Sequence, residues 1–101
     1  MKALTSKQRK FLRSEAHHLD PLILVGRHGL TDALVRATAE ALDDHELIKV
    51  RFNEFKGEKR EIVGEMTRRT GAELVGMVGH VATLYRQNPD PEKRRIDLPG
   101  E

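Results

Sequence analysis

The residues best suited to chemistry form a short loop, Gly26-Arg27-His28-Gly29, which we call the GxxG loop. Two glycines around two residues let backbone N–H groups approach a phosphate, because no Cβ stands in the way. The guanidinium of Arg27 offers a fork for phosphate oxygens, and the His28 ring can hydrogen-bond or stack on a base. The loop therefore predicts a grip on a nucleic-acid backbone. A tight turn that only joins two elements is the alternative interpretation.

Catalytic and metal-binding chemistry find little support. The chain has no cysteine, which excludes disulfides, thiolate zinc sites and cysteine nucleophiles. Ser6 and Ser14 have no recognisable activating context, and the sequence contains no Gly-Lys-Ser/Thr phosphate loop. The histidines do not stand at metal-ligand spacing; they occupy positions 17, 18, 28, 45 and 80. We predict a protein that is not an enzyme and holds neither metal nor cofactor, with an enzyme for a phosphorylated small molecule as an open alternative.

The GxxG loop requires a strand before it and a helix after it, and the sequence predicts both. The apolar run 22–25 is typical of a strand buried on both faces. Thr31 is the predicted N-cap of a helix that runs to about Asp43, and the positive end of this helix points at the loop. The alternating stretch 46–53 predicts a second strand, parallel to the first as in a βαβ unit.

The remaining elements complete an α/β fold. Thr5 and Gln8 form a capping-box pattern for a first helix over 5–19, and Gly71 ends a third helix over 58–71. Two alternating segments then follow at the end of the domain. The predicted fold class is an α+β sandwich with three helices and a four-stranded mixed sheet, in the order α-β-α-β-α-β-β.

A hairpin forms the last two strands of the predicted sheet. Gly79-His80 between two alternating segments indicates a two-residue type II′ turn. That register places Val75, Met77, Ala82 and Leu84 on one face, which we assign to the core. The opposite face holds Leu74, Val78, Val81, Thr83 and Tyr85.

Length and composition bound the organisation of the chain. The 101 residues predict one domain over 1–88, followed by a polar, proline-broken tail over 89–101. Ile96 and Leu98 in this tail could add a short pairing or cover the second face of the hairpin. No apolar run approaches the roughly 20 residues that cross a bilayer. We therefore expect no membrane partner. The absence of cysteine fits a reducing cytoplasm, and nothing in the sequence demands a dimer, so we expect a cytoplasmic monomer.

Positive charge is concentrated in the first part of the chain. The net charge is only +2, yet residues 1–30 hold six Lys/Arg and two Asp/Glu. Such asymmetry favours a polyanionic partner, although a solvated helix face is the alternative. The basic residues that could extend a phosphate track from the GxxG loop are Lys7, Lys10 and Arg13 on the first helix and Lys49 and Arg51 on the second strand.

Aromatic residues are scarce, which argues against a broad platform for base stacking. Phe11 and Phe52 stand at core positions of the predicted elements. Phe55, beside Lys56 and Gly57 in a predicted loop, is either a stacking residue or a loop contact that covers a helix.

Several ordered motifs resemble the CRM domain, and in particular the small bacterial stand-alone YhbY family. They are LTSKQRKFLRSEAHHLDPLILVGRHGLTDALV, HELIKVRF, TGAELVGMVGHVATLYR and RRIDLP, which together run from Leu4 to about Pro99. The resemblance implies an RNA-binding domain with a GxxG loop after its first strand. It also implies a fold similar to the C-terminal domain of translation initiation factor three. Bacterial members are associated with precursors of the large ribosomal subunit, so ribosomal RNA in those precursors is the implied partner and ribosome assembly the implied role.

The predicted RNA-binding surface combines the loop with the basic residues around it. Its members are Gly26, Arg27, His28, Gly29, Lys7, Lys10, Arg13, Lys49 and Arg51. A protein-interaction adaptor on the ribosome is the alternative from a different class. It would use the second face of the hairpin and depend on Leu74, Val78 or Tyr85.

Overall fold

A computed structural model describes residues 3–100 and contains the elements that local sequence signals predict. They are helices α1 (Ser6–Ala16), α2 (Asp32–His45) and α3 (Lys59–Thr70), and strands β1 (Ile23–Val25), β2 (Leu47–Phe52), β3 (Glu73–Val78) and β4 (Val81–Tyr85). Two short 3-10 turns, at Lys56–Glu58 and Pro91–Lys93, complete the described chain.

Each helix begins or ends at the predicted residue type. In the capping box of α1, the Thr5 N–H donates to Gln8 Oε1 (3.0 Å) and the Gln8 N–H donates to Thr5 Oγ1 (3.1 Å). Thr31 Oγ1 accepts from the Leu34 N–H at 3.1 Å and caps α2. Gly71 ends α3 in the left-handed region with φ of 76°. The first helix is shorter than predicted, because it ends at Ala16.

The four strands form one mixed sheet in the order β1-β2-β4-β3. β1 and β2 are parallel, and the other neighbours are antiparallel. The predicted fold class, three helices with a four-stranded mixed sheet, is confirmed. Helices α2 and α3 bury one face of this sheet in the larger core cluster, and α1 packs on the opposite face in a smaller one.

The prediction that the first strand is buried on both faces is wrong. β1 is an edge strand, and its burial alternates: Ile23 and Val25 are buried, whereas Leu24 is 52% exposed. The helix on the Leu24 side, α1, packs against β2, β3 and β4 instead. A run of four apolar residues cannot distinguish a strand buried on both faces from an edge strand with one uncovered face, because both have the same sequence pattern.

The hairpin turn is confirmed, but the predicted register fails near the start of β3. Gly79 has φ of 58°, and Val78 pairs with Val81 as predicted. A β-bulge between Leu74 and Gly76 then shifts the pairing, so that Leu74 rather than Val75 lies opposite Leu84. Leu74 therefore packs on the larger core cluster and Val75 on the smaller one.

The second face of the hairpin is partly covered by the chain itself. Tyr85 is fully buried there, in the cluster that α1 supplies. Ile96 and Leu98 pack against the same cluster, as one of the two predicted roles for them requires. The Gln8 side-chain amide donates to the carbonyl of Pro99 at 2.9 Å, which holds the end of the chain beside α1.

Candidate nucleic-acid interface

The GxxG loop and two further loops lie together at one end of the sheet. Parallel strands finish at the same edge, so β1 and β2 both end there, and the antiparallel β4 begins there. The GxxG loop, the segment 53–58 and the turn Gly79-His80 consequently lie side by side. We call this edge the loop end of the molecule. Helices α2 and α3 also begin at this edge, with their positive ends.

The GxxG loop is a closed turn with an open approach. The Gly29 N–H donates to the carbonyl of Gly26 at 3.0 Å, and Arg27 and His28 stand exposed at the tip. Gly29 has φ of 65°, a left-handed conformation that favours glycine. A Cβ on Gly26 would meet no heavy atom within 4 Å, so a ligand could reach this backbone directly.

An acidic residue stands at the first position of α2, next to the loop. The Arg69 guanidinium donates to Asp32 Oδ1 at 2.8 Å. This hydrogen bond, and then the charge of Arg69, lower the pKa of Asp32, which keeps the carboxylate ionised. Arg69 thereby offsets part of the negative charge that would otherwise repel a phosphate at the positive end of the helix.

Phe55 lies directly against the GxxG loop. Its ring atoms Cε2, Cζ and Cδ2 are 3.3, 3.5 and 3.7 Å from the position of a Cβ on Gly29. The backbone of this segment is fixed beside β1, because the N–H groups of Asn53 and Glu54 both donate to the carbonyl of Val25, at 3.0 and 3.2 Å. Phe55 remains 41% exposed. The contact that the structure shows is with the GxxG loop, whereas the two roles that the sequence left open, base stacking and a contact that covers a helix, stay predictions.

A further concentration of positive charge lies at the hairpin turn. Lys59 Nζ donates to the carbonyl of Gly79 at 2.6 Å and lies 3.2 Å from His80 Nδ1. Partial loss of water contact, and then the charges of Lys59 and Lys56, lower the pKa of His80. The sequence reasoning missed these residues. The signal available was that they flank the ends of predicted strands, but only the sheet order brings those ends together.

A groove of about 430 Å³ lies on the α1 side of the sheet. Four of its lining residues are basic, namely Arg13, His17, Lys49 and Arg51, and the others are Ala16, Pro21, Gly76, Val78, Val81 and Thr83. We call it the basic groove. A Cβ on Gly76 would lie 3.2 Å from Arg13 Cδ, so this glycine lets the aliphatic part of the arginine lie close over the sheet.

The structure thus brings together some of the predicted basic residues and separates others. Arg13, Lys49 and Arg51 share the basic groove, whereas Lys7 and Lys10 are exposed residues of α1 outside its lining. Arg51 lies opposite Leu24, two residues before the GxxG loop. Two strand residues span about 7 Å, so the groove reaches the loop end.

Other site types find no support in the described residues. Within 3–100, no three His, Cys, Asp or Glu residues are grouped so that they could hold a metal ion. No helix among these residues has the length and apolar character that crossing a membrane requires.

Fold and site together define a small α/β domain whose basic surface surrounds a glycine loop at one end of the sheet. Residues 4–86 match the CRS1 / YhbY (CRM) domain, and the chain belongs to this family.

Relatives of similar size support this assignment. The chain is 38% identical over 97 residues to a "Probable RNA-binding protein" of Pseudomonas aeruginosa, covering 95% of this chain and 93% of that protein. It is 38% identical over 100 residues to an "RNA-binding protein" of Haemophilus influenzae, covering 98% of each. The solution structure of a Staphylococcus aureus protein, described as "a putative RNA binding protein", matches with a TM-score of 0.78 and 33% identity, over 96% of this chain and 100% of that one.

Proposed function

We propose that this protein is an RNA-binding protein without catalytic activity that binds ribosomal RNA in precursors of the large subunit and assists their assembly. The GxxG loop grips the RNA backbone. One observation carries the proposal: the exposed loop with its open Gly26 backbone lies beside the capped, positive end of α2. This arrangement suits a phosphate, because amide N–H groups and the helix dipole both favour an anion at that place.

The basic groove extends the contact surface beyond the loop. Arg13, Lys49 and Arg51 face one concavity that leads toward Arg27, so a backbone held at the loop can continue along the sheet. Lys7 and Lys10 on the outer side of α1 add long-range attraction for a polyanion rather than direct contacts. The RNA-binding surface therefore runs from the loop end across the α1 side of the sheet.

The ribosomal part of the proposal rests on the resemblance of the quoted motifs to the YhbY family. We also infer that residues 1–88 form the RNA-binding domain and that 89–101 are a tail, of which Ile96 and Leu98 pack back on the domain. We infer further that the protein works as a cytoplasmic monomer without a cofactor. The adaptor alternative is weakened, because Tyr85 is buried and Leu74 faces the larger core cluster. Of its three residues only Val78, at 80% exposed, lies open to a partner.

A salt-dependent titration tests the grip of the loop. The wild-type protein and an Arg27→Ala/His28→Ala variant are titrated with a structured fragment of large-subunit ribosomal RNA at several salt concentrations. The variant should bind more weakly, and the slope of log K against log salt should become shallower by about 1, because a phosphate contact is lost. The matched control, His45→Ala/Arg95→Ala, removes the same two residue types at exposed positions beside the start of β2, away from the loop end, and should keep the wild-type affinity. If the variant binds RNA with the wild-type affinity and salt slope, the two glycines serve only to form a turn, and the proposed grip is wrong.

The ribosomal specificity needs a separate comparison. The same titration is repeated with a structured RNA of equal length that is unrelated to the ribosome, and particles from growing cells are fractionated to locate the protein. We expect tighter binding to the ribosomal fragment and sedimentation with large-subunit precursors. Equal affinity for both RNAs, together with no association with precursors, would contradict the ribosomal role and leave the RNA grip intact.

A further inference from the structure

Phe55 has an unusual backbone for its residue type. Its φ and ψ are 56° and 37°, in the left-handed region where a residue with a Cβ is strained by about 1–2 kcal/mol. Asn or Gly would adopt this conformation at lower cost. Its carbonyl accepts from the Glu58 N–H at 3.0 Å, so the strained conformation is held by the turn that follows.

The fold draws little from this ring. Phe55 belongs to neither core cluster, and much of its surface faces solvent. Among the large apolar residues exposed in the described chain, the others are Leu19, Leu22, Leu24 and Val78, so Phe55 is the one aromatic. A phenyl group held in a costly conformation, open to solvent, calls for a role outside the core.

The position of the ring suggests that role. Its edge contacts Gly29, and the next residue, Lys56, adds a positive charge beside it. An exposed aromatic face next to a phosphate-binding loop is the arrangement in which an unpaired base can stack while its backbone is held. In a continuous duplex the bases are already stacked on each other and cannot reach such a ring.

We propose that Phe55 is a base-stacking residue, and that the loop end therefore takes RNA with an unpaired nucleotide, single-stranded or bulged, in preference to continuous duplex. This inference rests on the proposed function, since the GxxG loop must hold the adjacent phosphate. It adds the class of RNA that the site selects. The preference arises because only a splayed-out base can occupy the space above the ring.

Three variants of Phe55 separate stacking from support of the loop. Phe55→Ala removes the ring, Phe55→Leu keeps an apolar contact with Gly29 without an aromatic face, and Phe55→Trp enlarges the face. The matched control is Leu19→Ala, because Leu19 is also an exposed apolar residue and lies with His45 and Leu47 at the start of β2, opposite the loop end. Each is titrated with an unstructured RNA of about ten nucleotides and with the same RNA annealed to its complement. Thermal unfolding confirms that each variant is folded.

Stacking predicts a distinct pattern of affinities. Phe55→Ala and Phe55→Leu should both lose about five- to a hundredfold in affinity for the unpaired RNA, with little change for the duplex. Phe55→Trp should keep the wild-type affinity. Because the chain contains no other tryptophan, its fluorescence should be quenched by the unpaired RNA and not by the duplex.

Several results would overturn the inference and spare the proposed function. In one, Phe55→Ala and Phe55→Leu both keep the wild-type affinity. In another, Phe55→Leu keeps the affinity for unpaired RNA that Phe55→Ala loses. In the third, each variant loses affinity equally for the unpaired RNA and the duplex. Each would leave Phe55 as a support of the loop. If the wild-type protein binds neither RNA, or if Arg27→Ala/His28→Ala has no effect, the proposed function fails and the stacking role fails with it.

Discussion

Strand β2 has a non-glycine residue with a positive φ near each of its ends, and the two residues have opposite surroundings. Glu46 immediately before the strand has φ of 63°, and Phe55 shortly after it has φ of 56°. Glu46 is fully buried. Its carboxylate accepts from the backbone N–H groups of Asn88 (2.6 Å), Arg95 (2.6 Å) and Ile96 (3.0 Å).

The contrast shows that backbone strain by itself does not indicate function. At Glu46 the strained conformation turns a carboxylate inward, where it binds three amides and fixes the C-terminal segment on the domain. Its carbonyl also accepts from the Arg86 N–H at 2.9 Å. At Phe55 a positive φ, here with ψ of 37° where Glu46 has −42°, presents a half-exposed ring beside the GxxG loop. Burial and hydrogen bonding therefore distinguish a residue that serves the fold from one that is open to a ligand.

The largest expected effect concerns Glu46, at the buried end of β2. Glu46→Ala should lower the free energy of unfolding by about 3 kcal/mol, because three partly buried N–H groups lose a charged acceptor at once. Glu46→Gln keeps one acceptor oxygen and should lose about half as much. Urea unfolding measures both, with the exposed Glu40→Ala as the control. RNA affinity of the folded variants should stay at the wild-type value, and a tenfold loss would break the contrast between the two ends.

The two glycines of the loop should separate stability from binding. Gly29→Ala should cost about 1–2 kcal/mol, because its φ is positive and the new Cβ would press on Phe55. Gly26→Ala should change the stability by less than about 0.5 kcal/mol, since open space surrounds it. Both should weaken RNA binding. Unchanged RNA affinity in Gly26→Ala would mean that no phosphate approaches this backbone.

A pH titration of Tyr85, which is buried near Glu46, should also report on this end of β2. Burial, and then the charge of Glu46, raise the pKa of Tyr85 from 10.0 to about 12. The folded state therefore favours the neutral phenol, so this contribution to stability is complete below pH 10.0 and is lost as the pH rises toward 12.

Absorbance of the phenolate reads this group directly, because the chain has a single tyrosine. The midpoint should lie near 12 in the folded protein and fall to about 10 in urea. A midpoint near 10 in the folded protein would show that water reaches the Tyr85 hydroxyl.

The smallest expected effect concerns charge at the loop end. Asp32→Asn removes a negative charge beside the proposed phosphate site and should raise RNA affinity about twofold at low salt, with the gain lost at high salt. Asp44→Asn, an exposed change at the other end of α2, should leave the affinity unaltered. Equal responses of the two variants would mean that only the net charge of the protein matters.

Local signals predicted the elements better than their packing. The sequence predicted three local features correctly: the capping box at Thr5, the cap at Thr31 and the turn at Gly79. Each depends only on residues within a few positions of each other. The burial of Leu24 and the register near Val75 were not predicted correctly, because they depend on which helix covers which strand and on a bulge that adds one residue to a pairing. The GxxG loop was recognisable by its glycines. Its neighbour Phe55 was recognisable only as one of two possibilities.

The sequence by itself determined the periodic and capping patterns, the conformational freedom of the loop glycines and the family to which the chain belongs. Only the tertiary structure decided that β1 lies at an edge, that Glu46 holds a segment more than 40 positions away, and that Phe55 lies on Gly29. The physical reason is the range of the interactions. Caps and turns are local and follow from residue type. Burial and long-range hydrogen bonds depend instead on which strands and helices become neighbours in space, far apart along the chain.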